Sequence, residues 1–394
     1  MSSYNNSTNS SNYDASYYTN SSNYDASCFG TDSDDAAVMM SIRIYFGATL
    51  TFIVVGLVGN ALSMLVFLSR EMQGVSSNVY LLTLASSDSC YLVSVFLFKT
   101  LTTLRCWYFV ESALDIANRS DVWCILLQYL SDLFSNYSTC VILAFTVERA
   151  VAVFRPMRYK ELCTVARARF VCALIFLVIA CSIAPYHVMY IGIWVDYSVC
   201  AIRYQYEAVF YGLYVVEMFI FRLVPVAIIA IINAFIIRRV TSLARAKRQW
   251  MTGAGHGGAD DPAAAAEKRR QSSQQASSLS SRKTHAEDRN LQLTIILILV
   301  STSYVLAYIP VLLHFVMRKI QLWELITVSR KALTIVGNYS KALYVAGFSI
   351  NFFLYTVSGR VFRDQLKKIV CGCCGRIGES GYTGITSSWS YIMP

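Results

Sequence analysis

Residues 146–156 read TVERAVAVFRP, and an acid and an arginine, Glu148 and Arg149, stand side by side where a long apolar run gives way to basic sequence. The run behind them, 122–148, is long enough to cross a bilayer, which takes about 20 residues of helix. Six further blocks of this kind lie at 42–68, 79–103, 170–193, 208–237, 291–316 and 332–357. The last is the weakest, because it carries Lys341 and several polar residues. One such block reads equally well as a buried core helix; seven separated by polar gaps do not. Composition agrees: 55% of the 394 residues are hydrophobic and 15% charged, against about 25% charged in soluble domains. The fold class expected is an all-α membrane protein, a bundle of seven transmembrane helices over 42–358.

Orientation follows from where lysine and arginine collect between the spans. One side holds Arg70, the group from Arg149 to Arg169, a dense set across 238–290 and the basic residues after 357. The other side holds only Arg105, Arg119, Arg203, Arg318, Lys319, Arg330 and Lys331. The basic side is expected in the cytoplasm, with the N-terminus outside, the C-terminus inside and the plasma membrane as location. The formal charge of +10 is then a topology signal and not a nucleic-acid footprint. Residues 1–41 contain no lysine, arginine or apolar h-region, so no cleavable signal peptide is expected and the first span serves as anchor.

The segments outside the bundle differ in character. Residues 1–41 are acidic and tyrosine-rich, repeat SSNYDAS at 10–16 and 21–27, and are expected to be a disordered outer tail. Asn5, Asn6, Asn9, Asn20 and, in the first outer loop, Asn118 begin glycosylation sequons. Asn136 begins another, but inside a span. Residues 241–288, rich in Gly, Ala and Ser, are expected to be a disordered cytoplasmic loop. In 359–374 Phe362, Leu366, Ile369 and Val370 share one helical face, which predicts an amphipathic helix on the inner leaflet. Cys371, Cys373 and Cys374 beside it are palmitoylation candidates, and a metal cluster is the alternative reading. Residues 375–394 form the cytoplasmic tail. Four other cysteines, Cys28, Cys106, Cys124 and Cys200, fall on the outer side, where disulfides persist; they allow three pairings.

Charged residues inside spans are costly and usually functional. Here they are Asp88, Lys99, Asp132, Glu217, Arg222 and Lys341, with Arg43 and His314 nearer the ends. Asp88 needs a partner, and Asn60, Ser138 and Asn351 lie at comparable depth in other spans. Together they form either a hydrated pocket able to hold a sodium ion or a plain hydrogen-bond cluster; no other cofactor or metal is expected.

The ordered set of landmarks resembles the rhodopsin-like G protein-coupled receptors over most of 40–375. The family's GN pair is Gly59-Asn60, and its LA..D is Leu84, Ala85 and Asp88. Cys124 precedes Arg149 by 25 residues and Pro156 follows by seven, the family spacings around the Asp/Glu-Arg-Tyr motif. Pro225, Pro310 and Asn351-Phe-Phe-Leu-Tyr355 match the later helices. The resemblance implies a Cys124–Cys200 disulfide and an Arg149 that meets a heterotrimeric G protein, restrained by Glu148. It also implies activation roles for Asn233, Asn351 and Tyr355, with arrestin and receptor kinases as further partners. The chain departs from the pattern at Ala150, at Asn290 in place of the locking acid, and at Phe352 in place of proline. Phe352 and Asn233 are similar to peptide-receptor branches such as the FMRFamide and thyrotropin-releasing hormone receptor-like groups.

Lys99, Asp132, Glu217, His314 and Lys341, joined by Gln128 and Tyr308, form the candidate ligand site; mutual pairing among its charges is the competing reading. An amine receptor would place its aspartate at Ser131, and an opsin its lysine at Val345, so both classes are disfavoured. The expectation is a cationic or amidated neuropeptide whose positive group meets Asp132 and Glu217, drawn in by the acidic tail. Cys28 and Cys106 could tether that tail. No catalytic constellation is present, so an enzyme is not expected. A transporter or channel would bring inverted repeats and broken spans, and none is found. A signalling-silent decoy remains a further alternative.

Overall fold

The structure is a computed structural model that describes residues 35–108, 115–194, 199–202, 206–253, 291–318 and 329–380. Seven helices span the bundle: α1 Ala36–Phe67, α2 Ser76–Val95 continued to Tyr108, α3 Asp121–Phe154, α4 Val165–Tyr190, α5 from Glu207 to Gly253, α6 Leu291–Arg318, and α7 Arg330–Ser349 continued by Asn351–Ser358. An eighth helix, α8, covers Arg360–Ser380. Among the described residues six helices, α1 to α6, are long and apolar enough to cross a membrane. The seventh is carried by its packing. Asn60 donates to the Phe348 carbonyl (3.1 Å), Ser349 to the Phe52 carbonyl (2.8 Å), and Asn338 to the Ser41 hydroxyl (3.0 Å), which lay α7 along α1.

Because every backbone group in a bilayer must be satisfied internally, the bundle shows its apolar side chains outward. Val54, Val58, Phe170, Leu177, Phe219, Ile231 and Leu306 are each at least half exposed, and the polar residues turn inward. Gly59 stands where an added Cβ would lie 2.8 Å from Phe352, so the glycine of the GN pair makes room for the ring that replaces proline. Proline also shapes α5. Pro225 has no N–H to give the carbonyl four residues earlier, and that oxygen, of Phe221, accepts instead from the Cys140 thiol at 3.9 Å. Next to it the helix widens into a π-turn at Phe219–Leu223, and α2 has a second at Phe96–Thr100.

A two-stranded antiparallel hairpin, β1 Ile191–Trp194 and β2 Val199–Ile202, follows α4, with Ile193 opposite Cys200. Cys200 is disulfide-bonded to Cys124 at the start of α3. Two expected boundaries are corrected. Helix α5 continues through Gly253, so 241–253 is helix and not part of a disordered loop. Helix α8 runs to Ser380, so the amphipathic helix extends past 374 into the expected tail. Its buried face consists of Phe362, Gln365, Leu366 and Ile369, while Val370 is 47% exposed. Phe362 packs against Phe67, Phe352 and Tyr355.

Candidate functional site: a polar path through the bundle

Three clusters of buried polar groups run from the disulfide end to the opposite end. The first lies among α3, α4 and α5. Arg222, in the α5 π-turn, donates through Nε to the Asn136 carbonyl oxygen at 2.6 Å. Its Nη2 lies 3.4 Å from Asp132 Oδ1 and 3.9 Å from Glu217 Oε1. Asn136 in turn donates to Glu217. His187, on α4, places Nε2 3.1 Å from Asp132 Oδ2 and Nδ1 3.0 Å from the Ile183 carbonyl. A carbonyl only accepts, so Nδ1 carries a proton, and a second proton must lie between Nε2 and the carboxylate. Wherever that proton sits, the His187–Asp132 pair is neutral, and Arg222 balances Glu217. Buried charge is tolerated only when it is matched in this way. Glu217 Oε2 and Tyr308 Oη are buried with no partner among the described residues.

The sequence-derived candidates divide at this point. Asp132 and Glu217 do come together, with Gln128 contributing at 3.5 Å to Asp132. Tyr308 is 1% exposed and stacks on Tyr304. Lys99, in the α2 π-turn, and Lys341, on α7, make no direct ion pair with a carboxylate among the described residues, although Lys99 lies within electrostatic reach of Asp132. His314 packs over Gly337. Sequence reading missed His187 and the part of Asn136. An ionisable residue two positions after Pro185 inside a span was the available signal for the first.

The second cluster is at mid-bundle. Asp88 accepts from Ser138 at 2.7 Å and from Asn351 at 2.7 Å, and Ser138 also contacts Ser87 at 2.9 Å. Asp88 is 1% exposed. Asn60, bound through its nitrogen to the Phe348 carbonyl, keeps an unpartnered Oδ1. These are hard oxygen donors with one carboxylate, the donor set a small hard cation takes, so the residues fit a sodium ion. Among the described residues no group of three or more His, Cys, Asp or Glu could hold a metal. Between this cluster and the first runs an aromatic column, with Tyr91 4.0 Å from Phe348 and Tyr344 5.1 Å from Phe348, centroid to centroid. Tyr344 meets the Ser135 hydroxyl at 2.5 Å, and Tyr304 meets Thr139. These contacts tie α3 to α6 and α7.

The third cluster surrounds Arg149, which is fully buried. Its Nη2 donates to Glu148 at 2.9 Å, to the Tyr159 hydroxyl at 2.7 Å and to Ser77. Glu148 also accepts from Ser76 at 3.0 Å and Ser77 at 2.5 Å. The guanidinium lies over the rings of Phe145 and Tyr159, at 5.8 and 5.3 Å. Tyr159 comes from the short helix Pro156–Leu162. It supplies a phenol where Ala150 has none. Nε and Nη1 of Arg149 have no partner among the described residues. Asn233 on α5 donates to Ser301 on α6 at 2.6 Å, while Tyr355 Oη, also fully buried, has no partner among the described residues. Asn290 lies outside the described residues.

Other candidates are placed as follows. Asn118 donates to Asp115 at 2.7 Å and accepts from the Cys200 backbone at 2.6 Å, so the nitrogen a glycan needs is engaged. Asn5, Asn6, Asn9, Asn20 and Cys28 lie outside the described residues, as do the side chains of Cys106, Cys371, Cys373 and Cys374. Outside the spans, the Lys331 ammonium beside Asp35, with the Ala37 and Val38 N–H groups, holds that carboxyl below its ordinary value.

The family profile described as "7 transmembrane receptor (rhodopsin family)" matches residues 59–355. The thyrotropin-releasing hormone receptor of Homo sapiens is 27% identical over 196 residues, covering 46% of this chain and 45% of the relative. The growth hormone secretagogue receptor type 1 of Homo sapiens is 31% identical over 165 residues, 41% of this chain and 43% of the relative. The chain thus spans under half the length of the curated relatives it matches.

Proposed function

The chain belongs to the rhodopsin family of seven-transmembrane receptors, a multi-pass membrane protein, and from that premise we propose that it binds an extracellular peptide and activates a heterotrimeric G protein. The reading rests chiefly on one observation. A polar path leads from the ion cluster under the disulfide end, through Asp88, to an arginine held shut by Glu148, Ser77 and Tyr159. A ligand moves such an equilibrium only through differential affinity for its two states. In this reading binding at the Lys99–Asp132 end repacks Tyr304, Tyr344 and Phe348. The Asp88 cluster then shifts, and Arg149 is released to the G protein as α6 moves. Peptide class is supported by relatives named for peptide hormones.

The disulfide end faces the exterior and the Arg149 end the cytoplasm of the plasma membrane, in keeping with the lysine and arginine distribution. Arrestin and receptor kinases would meet the same cytoplasmic end, glycans the asparagines of the tail, and palmitate the cysteines of α8. A sodium ion bound by Asp88, Ser138 and Asn60 would supply the positive charge that Asp88 otherwise lacks. The test is nucleotide exchange on a panel of purified heterotrimers by membranes carrying the full chain. Exchange above empty membranes, raised by a peptide library, is the expected result. No exchange with any heterotrimer, alongside ion currents or solute uptake, would favour the channel or transporter reading.

A further inference from the structure

Where the inner end of α6 meets α8 and the turn between α1 and α2, the described residues enclose a cavity. The space between its atoms, open mouth included, is about 510 Å³, within the roughly 300–1,000 Å³ of small-molecule sites. Phe67, Val75, Leu81, Leu293, Ile296 and Phe362 give it apolar walls. Gly359 also lines it, and a Cβ added there would stand 3.3 Å from Ile296 Cδ1, so α6 and the start of α8 approach closely. One polar group on the wall is left open. Asn78 is 5% exposed; its Nδ2 donates to the Met72 carbonyl at 2.7 Å, while its Oδ1 has no partner among the described residues. Buried polar groups are nearly always paired, so this oxygen is open to a donor that those residues do not supply. Glu71 lines the cavity too, but its carboxylate is already held by Lys368 at 2.8 Å and by Gln365.

We propose that this cavity binds a neutral, largely apolar molecule through one hydroxyl or N–H group that donates to Asn78 Oδ1, and that the occupant holds α6 against α8. The binding stands on the cavity alone; the hold on α6 rests on the receptor reading above, in which α6 moves as Arg149 is released. A charged ligand is disfavoured by the walls, since desolvating an ion costs far more than one amide oxygen returns, and Glu71 already has its cation. A donor is selected because an amide oxygen only accepts. A molecule packed on Leu293 and Ile296 of α6 and on Phe362 of α8 touches both helices in the shut arrangement. Movement of α6 parts those walls and removes the contacts, so the occupant binds the shut state more tightly and shifts the population towards it. A membrane lipid with a free hydroxyl and a small solute present the same apolar body and donor.

The experiment is photolabelling of the purified full chain in phosphatidylcholine nanodiscs, with the labelled sites mapped by mass spectrometry. The probes are a diazirine-bearing alkylphenol, its methyl ether and the matching benzoate. The phenol should label peptides carrying 67–81, 291–296 and 359–362, and the ether, which has no donor, should label them about 3-fold less or weaker still. Excess diacylglycerol in the bilayer suppresses this labelling if a lipid supplies the donor; water-soluble cyclohexanol alone suppresses it if a solute does. Absence of label from these segments, equal labelling by ether or benzoate, or labelling that neither competitor reduces overturns the site. Val361 lines the cavity and is 37% exposed, so Val361→Trp fills the space from a tolerant position and should remove the phenol's label. Label undiminished by that ring also overturns the site. Nucleotide exchange by a heterotrimer on the same nanodiscs should fall about 3-fold with saturating phenol, and Val361→Trp should abolish the phenol's effect. Exchange unmoved by a phenol that labels the cavity ends the hold on α6. Absence of exchange with any heterotrimer, with or without the phenol, ends the receptor reading, while the labelling still decides the site.

Discussion

Arg222 and Arg149 show how a single guanidinium can organise each end of the bundle. Replacing Arg222 by Gln leaves Glu217 buried without a balancing cation, a defect worth about 3–5 kcal/mol. The melting temperature of the purified receptor should fall markedly, and pairing the change with Glu217→Gln should recover part of the loss. An Arg222→Gln protein as stable as the parent would dissolve the ion-cluster account. At the other end, Tyr159→Phe removes one hydrogen bond to a charged donor, about 1.5–3 kcal/mol. Ligand-free nucleotide exchange should rise by roughly the order of 10-fold if that bond exists only in the shut state. An unchanged basal rate would mean Tyr159 restrains nothing. Much of this scale was legible in the sequence. Asp88, Ser138 and Asn351 were singled out from depth alone, and depth is what brings them together. The identity of the acids' partners was not legible. Which side chains meet across α3, α4 and α5 depends on helix rotation, and a π-turn changes that rotation without any mark in composition.

At the scale of elements, apolar runs located all seven helices, because span length is fixed by bilayer thickness. Their ends were less legible. Helix α5 extends through Gly253, past the apolar run that ends at 237, since arginine and lysine are good helix formers and hydropathy is blind to helix outside the membrane. Helix α8 is fastened by Glu71, which follows α1: Lys368 donates to it at 2.8 Å, and Gln365 also donates to it. Lys368, bonded to Glu71, holds that carboxyl below its ordinary value. A depressed folded-state pKa makes the clasp complete above the ordinary carboxylate value and lost as pH falls through the depressed one. Hydrogen exchange in α8 should therefore speed up on acidification below the carboxylate range. In Glu71→Gln that extra acceleration should vanish once the intrinsic pH dependence of exchange is subtracted. Both side chains are largely exposed, so the effect should stay local.

At the scale of the molecule, the fold joins a covalently fastened end to one held by the hydrogen bonds of Arg149. The Cys124–Cys200 bond ties α3 to the β-hairpin, and Asn118 and Asp115 extend that tie to Thr102 on α2. Cys124→Ser with Cys200→Ser should lower surface expression and peptide response by loosening this end, by about 2–4 kcal/mol. Family membership was legible because the landmarks are spaced along the whole chain. Which charges pair at the outer end was not, because it depends on which side chains meet across α3, α4 and α5. The most direct test of the central claim is heterotrimer nucleotide exchange on membranes bearing the wild-type chain, Tyr159→Phe and Arg149→Ala at matched expression. The account predicts exchange above empty membranes, a rise with Tyr159→Phe and a fall to background with Arg149→Ala. Exchange that persists undiminished without the Arg149 guanidinium would contradict it.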